Sequence, residues 1–183
     1  VPLGKKILHL AFNQFCQWLQ TYSHLKDIFL CLNLSVDQLL NSDIVSDIRN
    51  IASETGMPLD NIHLEITESV FIDEARYASS VINQFKDKGV HISIDDFGTG
   101  YSSLRYLDQF AIDLIKIDKN LIQKITTQET SMYIVESMLT LNQKLGIQVV
   151  AEGIEEEDQL RTLQDMHCHL GQGFLFSRPM HAG

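Results

Sequence analysis

Two adjacent aspartates, Asp95 and Asp96, close an apolar run in the stretch HISIDDFGTGYSSL, His91 to Leu104. Burying like charges side by side is costly unless something neutralises them. The same kind of residue ends other short apolar runs: Asn33, Glu65, Lys116, Glu152 and Gln172. If these ends converge, they form a set of carboxylates with an amide and a lysine. Carboxylates held together need cations, and oxygen-only donors suit Mg²⁺ or Mn²⁺ rather than Zn²⁺. Adjacent aspartates let one bridge two ions while the other reaches the second, the arrangement used for in-line phosphoester hydrolysis. A lysine nearby can orient the attacking water or stabilise a developing oxyanion. Two other chemistries use similar parts. Barrel glycosidases pair carboxylates, and enolase-type sites combine Mg²⁺ carboxylates with a lysine base. Spacing alone excludes neither.

The elements that must position these residues alternate along the chain. Val1 to Tyr22 has helical periodicity, with Ile7, Leu8, Ala11, Phe15, Trp18, Leu19 and Tyr22 on one face. Strands are expected at Ile28 to Ser35, Asn61 to Thr67, Val90 to Asp95, Ile112 to Asp118, Ile147 to Glu152 and Cys168 to Phe174. Helices are expected between them at Val36 to Thr55, Asp73 to Lys88, Tyr101 to Gln109, Glu129 to Leu145 and Glu155 to Met166. Gly56, Gly89 and Gly146 stop three of these helices just before a strand. Repeated strand–helix–strand units pair in parallel with right-handed crossovers. The fold is α/β, either a (β/α)8 barrel or a doubly wound sheet. No glycine fingerprint follows the first strand, which weakens a dinucleotide-binding reading. In a barrel all strand C-termini meet on one rim, so residues far apart in sequence would share one site.

The bulk properties narrow the partners. The chain has 183 residues and a net charge of −10, with no basic stripe carrying interleaved aromatics. Direct binding to a nucleic-acid backbone is therefore disfavoured, whereas a phosphate ester can still bind through bridging cations. There is no apolar run long enough to span a membrane and no signal peptide. Three cysteines, Cys16, Cys31 and Cys168, fit buried thiols in a reducing, cytoplasmic setting. The chain opens at Val1, so a piece of a longer protein is expected.

Six motifs occur in order: NLS (Asn33 to Ser35), LEITES (Leu64 to Ser69), DDFGTGYSSL (Asp95 to Leu104), KID (Lys116 to Asp118), AEGIE (Ala151 to Glu155) and QGF…P (Gln172 to Pro179). Together they resemble the EAL domain, the bacterial phosphodiesterase module for cyclic di-GMP. The resemblance implies a modified (β/α)8, TIM-type barrel that linearises cyclic di-GMP to 5′-pGpG with two divalent cations, Mg²⁺ or Mn²⁺. It implies that Asn33, Glu65, Asp95, Asp96 and Glu152 are metal ligands, with Asp95 between the two ions. Lys116 and Gln172 would position water or support the metal shell, and Glu155 would assist near the phosphate. Glu68 would anchor the DDFGTGYSSL loop, which links the metal site to a homodimer interface. Sensory or GGDEF-type domains would accompany the module in its parent. The family's Glu-Ala-Leu stretch, which supplies a further metal ligand, is not in the chain. Against the ~250 residues of a typical barrel, about six of eight strands are expected, with the first two lacking. Little or no turnover is then expected from the chain by itself. A cyclic di-GMP receptor without catalysis is the alternative.

Three lesser motifs have plainer readings. DFG at Asp96 to Gly98 resembles a kinase metal motif, but no companion kinase motif is present. HCH at His167 to His169 would alternate faces on a strand and make poor joint ligands, so ordinary packing is expected. EEED at Glu155 to Asp158 is the acid-rich start of a helix.

Overall fold

The computed structural model describes residues 2–22, 28–41, 43–68, 70, 75–98, 107 and 109–181. Six strands among them form one parallel sheet in the order β1-β2-β3-β4-β5-β6: Leu30–Asn33, Ile62–Thr67, His91–Phe97, Leu114–Ile117, Gln148–Glu152 and Leu170–Gln172. A doubly wound sheet must reverse its strand order partway. This order never reverses, so the sheet curls in one sense as a barrel wall does, with β1 and β6 at its two ends. Helices α1 (Pro2–Thr21), α2 (Val36–Asn41), α3 (Ile44–Thr55), α4 (Ala75–Lys86), α5 (Lys119–Ile122), α6 (Glu129–Leu145) and α7 (Glu157–Asp165), with a 3-10 turn at Leu59–Asn61, complete the described elements. None of these helices is long and apolar enough to cross a membrane.

Strand alternation divides the side chains cleanly. Ile62, Leu64 and Ile66 of β2 and Ile92 and Ile94 of β3 pack with Phe12, Phe15, Ile48, Ile82 and Phe85 in the main core between sheet and helices. A smaller cluster joins Ile117 and Ala151 to Ile122, Val135 and Leu163. The opposite face of the sheet carries the intervening residues, among them His63, Glu65, Ser93, Asp95, Lys116 and Glu152. A fully buried side chain such as Phe85 stabilises the fold by roughly 1.5–3 kcal/mol.

Several expected boundaries shift, each for a local reason. The helix expected over 36–55 is two, because the Asp43 carboxylate accepts from Ser46 N at 3.4 Å and caps a new start at α3. Gly56 and Gly146 take the left-handed conformation that ends α3 and α6. On α1 the buried residues are Leu8, Phe12 and Phe15, whereas Ile7 and Tyr22 face outward. Strand β3 runs two residues past its expected end, through Asp96 and Phe97. Helix α5 is additional: the Asp118 carboxylate accepts from Asn120 N at 2.9 Å and caps it. The helix expected over 101–109 lies outside the described residues except for Leu107 and Gln109. His167 to His169 precede β6 rather than lying in it. His167 sits at a turn with φ +60°, both imidazoles are exposed, and only Cys168 packs inward. All three cysteines are free, but the expected burial of their thiols is not met: Cys31 is exposed and Cys16 and Cys168 are half-buried.

The N-terminal mouth of the sheet is tied by Asp113. Its carboxylate accepts from Lys86 Nζ at 2.6 and 2.7 Å and from Ile92 N at 2.7 Å, and His91 Nδ1 lies 3.3 Å away. One side chain thereby joins the end of α4, β3 and the approach to β4. Beside it, His63 stacks between Phe29 and His91 and pairs with Ser93 Oγ at 3.1 Å.

Candidate cation site

Parallel register sets the levels at the C-terminal rim. Asn33 of β1 pairs with Glu65 of β2, and Thr67 pairs with Asp95. Asp95 therefore stands two positions nearer the rim than Glu65. Between β3 and β4 the register slips: Ile94 pairs with Ile115, but Phe97 pairs with Ile117. Three steps on β3 oppose two on β4, which is a β-bulge at Asp95 and Asp96. Asp96 takes φ +54°, a left-handed conformation that costs a non-glycine residue roughly 1–2 kcal/mol. Regular alternation would send adjacent side chains to opposite faces. The bulge instead lets Asp95, Asp96 and Glu152 bring one oxygen each within 4.8 Å of one another. It is the one such acid-rich group among the described residues.

Lys116 reaches into this group from β4. Its Nζ lies 2.7 Å from Glu152 Oε1, 3.0 Å from Glu65 Oε1 and 3.2 Å from Asp95 Oδ1. Burial opposes the charge on Lys116, but hydrogen bonding to Glu152 and the charge of Glu65 outweigh it and hold its pKa above the ordinary lysine value. Glu152 moves up because burial and the neighbouring acids together exceed the lysine's effect. Asp96 moves up through burial and the charges of Asp95 and Asp118. Glu65 Oε1 and Asp95 Oδ1 are buried, and the ammonium that meets them, Lys116, is shared with Glu152, so three carboxylates divide a single positive charge. Buried carboxylate oxygens in that state are incomplete. An all-oxygen set with two such atoms fits a hard divalent cation.

The other expected residues fall into three places. Asn33 stands at the exposed end of β1, level with Glu65. Glu152 is aligned with Gln172 on β6, and both line a cavity of about 260 Å³ with Glu155, Lys119 and Phe174. Glu155 is exposed and its Oε1 accepts from Gln123 Nε2 at 3.4 Å. It precedes α7, whose first turn carries Glu157 and Asp158, so the acid-rich helix start is confirmed. Glu68 stands apart from the cation group. It is buried, and its Oε2 accepts from Gly98 N at 3.3 Å, at the first described residue past β3. Gly98 has φ +97°, and a Cβ there would fall 2.8 Å from Met138 Cε and 2.9 Å from Leu121 Cδ1. The turn is thus pressed against α5 and α6 where only glycine fits. Residues 99–106 of the loop lie outside the described residues.

Sequence reading misses two neighbours. Cys31 shares the inner face of β1 with Asn33, two residues below it. Its side chain is exposed, yet the atoms packed around it, followed by the charge of Glu65, push its thiol above the ordinary value. The i, i+2 spacing from Asn33 was the available signal. Asp118 is the other, a buried acid facing Asp96 whose signal was its place at the end of the KID motif.

A curled parallel sheet with an acid cluster on its C-terminal rim, of a kind that could hold a cation, matches the TIM-type barrel class. A family model described as the EAL domain matches residues 2–179, and the chain belongs to that family. It is 35% identical over 182 residues to the cyclic di-GMP phosphodiesterase PdeR of Escherichia coli K12, covering 100% of this chain and 27% of PdeR. Across the first curated relatives it spans about a quarter of their length. Among solved structures, PaMucR phosphodiesterase in complex with c-di-GMP superposes with TM-score 0.93 and 35% identity, over 98% of this chain and 72% of that one. The manganese and c-di-GMP complex of Klebsiella pneumoniae BlrP1 at pH 6 gives TM-score 0.89 and 33% identity, over 100% of this chain and 45% of that one.

Proposed function

We propose that this chain forms most of a module that hydrolyses cyclic di-GMP to linear 5′-pGpG in bacterial second-messenger signalling. The observation that carries the reading is the bulge that gathers Asp95, Asp96 and Glu152 beside the incomplete oxygens of Glu65 and Asp95. Asn33, Glu65, Asp95, Asp96 and Glu152 would hold two cations, Mg²⁺ or Mn²⁺, with Asp95 shared. Such ions, when bound, neutralise phosphate charge and lower the pKa of coordinated water. The reaction adds water across one P–O3′ bond, leaving a 5′-phosphate on one guanosine and a free 3′-hydroxyl on the other. Lys116 and Gln172 orient the attacking water from opposite flanks of Glu152. Glu155 stands beside the phosphate across the shared cavity. Glu68 fixes the turn at Gly98 and so the direction of Asp95 and Asp96.

The same turn supports a homodimer through the loop and helix that follow Asp96. Helix α6, against which Gly98 packs, exposes Tyr133 and Ile134 beside Phe97, an apolar face of the kind that association covers. The remaining length of the relatives leaves room for sensory or GGDEF-type domains in the parent. Unpaired cysteines favour the cytoplasm.

Turnover of cyclic di-GMP by the intact parent, with Mg²⁺ or Mn²⁺ and product separated by chromatography, tests the reading. Appearance of pGpG supports it. Measurable binding without pGpG would replace the enzyme with a receptor. Little turnover is expected of the chain by itself, because it lacks a Glu-Ala-Leu stretch.

A further inference from the structure

Every oxygen that Lys116 approaches belongs to a proposed cation ligand, and this juxtaposition resting on the reading above has a consequence for metal uptake. We propose that Lys116 is a built-in rival of the cations: it holds the acid cluster together when no metal is bound, and it must give up carboxylates for the first divalent ion to enter.

Geometry is the ground for this. Nζ lies within 3.2 Å of Glu65 Oε1, Asp95 Oδ1 and Glu152 Oε1, so one ammonium touches carboxylates from β2, β3 and β5. The side chains involved are between 4 and 18% exposed, so water screens them poorly. Without Lys116, Glu65, Asp95 and Glu152 would repel one another across the strands. With it, an entering dication meets a fixed positive charge among its own ligands. The contact is also mismatched. Lys116 divides one positive charge among Glu65 Oε1, Asp95 Oδ1 and Glu152 Oε1, so a hard cation has something to gain by taking two of those oxygens. A lysine placed only to orient water has no need to touch three ligands at once. Once displaced from them, Nζ is free to turn its N–H groups toward the attacking oxygen. Metal entry would then both charge the site and release the residue that aims the nucleophile.

The probe is Mn²⁺ itself, with free ion counted by electron paramagnetic resonance at constant ionic strength, on the wild-type chain and on Lys116→Met and Lys116→Gln. Both variants are expected to bind Mn²⁺ at least tenfold more tightly than wild type, by the loss of a charge at ligand distance. Thermal unfolding in chelator should place both below wild type, and added Mn²⁺ should raise their Tm by more than it raises the wild type's. A variant that folds only with Mn²⁺ supports the proposal in stronger form. Equal or weaker Mn²⁺ binding in the variants, or no Mn²⁺ binding by any of the three, overturns it. A second measurement needs no variant fold. The ¹³Cε resonance of Lys116 in the wild-type chain, assigned by selective labelling, should move on saturation with Mg²⁺. An unmoved resonance would overturn the proposal. Neither readout involves cyclic di-GMP, so failure of the parent to cleave that nucleotide would sink the phosphodiesterase reading and leave these outcomes to decide the role of Lys116.

Discussion

The two mouths of the half-barrel handle buried acid in opposite ways. At the N-terminal mouth, Asp113 has every neighbour a carboxylate needs: Lys86, the Ile92 amide and His91. At the C-terminal rim, Asp95 and Glu65 share the one ammonium of Lys116 with Glu152, and Asp96 holds a left-handed backbone. One end spends its polar groups on joining elements, and the other leaves them incomplete. Incompleteness that persists in a fold marks where a ligand is to be supplied. The pKa directions agree. Asp113 is held below the ordinary carboxylate range, because its hydrogen bonds to Lys86 and Ile92 exceed the effect of burial, whereas Asp96 and Glu152 are pushed above it.

The largest effects should separate the two ends by kind. Asp95→Asn in the intact parent keeps the shape of the side chain but removes the charge shared between the proposed ions. Turnover is expected to fall by about 10²-fold or more, roughly 3 kcal/mol of barrel-rim chemistry. Its unfolding midpoint in chelator should barely drop. Steady-state assay beside urea denaturation checks both, and full activity would contradict the proposed role of Asp95. Asp113→Ala should do the reverse. Stability is expected to fall by about 2–3 kcal/mol, since charged hydrogen bonds are lost and Lys86 is left without its carboxylate. Activity per folded molecule should stay near the parent value. If Asp113→Ala abolishes activity in fully folded protein, the division between the two mouths is wrong.

That division was unevenly legible in the sequence. Glu65, Glu152 and Lys116 announced themselves as polar endings of apolar runs, and parallel topology then required them to meet. The bulge did not announce itself. Alternation predicts that Asp95 and Asp96 point apart, and only the register slip against β4 shows how both join Glu152. Asp113 was invisible for a different reason. It sits at a strand's start, where a polar residue carries no signal, and its partners Lys86 and Ile92 are 27 and 21 positions away. The face of α1 was misread because Ile7 and Phe12 are both apolar at helical spacing. Which of them meets the sheet depends on how the helix is rotated by packing, and Phe12 wins. The break between α2 and α3 was readable in principle, since Asp43 before an apolar run is a capping signal.

Acid should expose the N-terminal mouth next. Burial, with a smaller contribution from the charge of His91, pulls His63 down from 6.5 to about 4. Asp113 opposes this and Lys86 reinforces it. The fold therefore prefers neutral imidazole. Stability from this group is fully present above its unfolded pKa of 6.5 and is lost as pH falls from there toward 4. Between pH 8 and pH 5 the loss should be about 1–2 kcal/mol, read by urea unfolding at each pH. His63→Gln should flatten the slope over that window. A slope unchanged in the variant would place the acid sensitivity elsewhere.

The smallest effect is the most specific to the rim. Asp96→Asn keeps a residue type that tolerates the left-handed region and removes one of the charges crowding Asp95 and Asp118. Asp96 is exposed, so water screens much of that crowding, and in chelator the variant should be only slightly more stable than wild type. In the parent with Mn²⁺ it should lower turnover. A matching change at the other mouth, Asp113→Asn, should lower stability under both conditions, because there the charge is held by Lys86 and the Ile92 amide. Opposite signs for the same chemical change, Asp to Asn, would show that the rim's acids are placed for a ligand and the mouth's acid for the fold. Equal signs would mean that the incomplete oxygens of Glu65 and Asp95 reflect local packing and not a site.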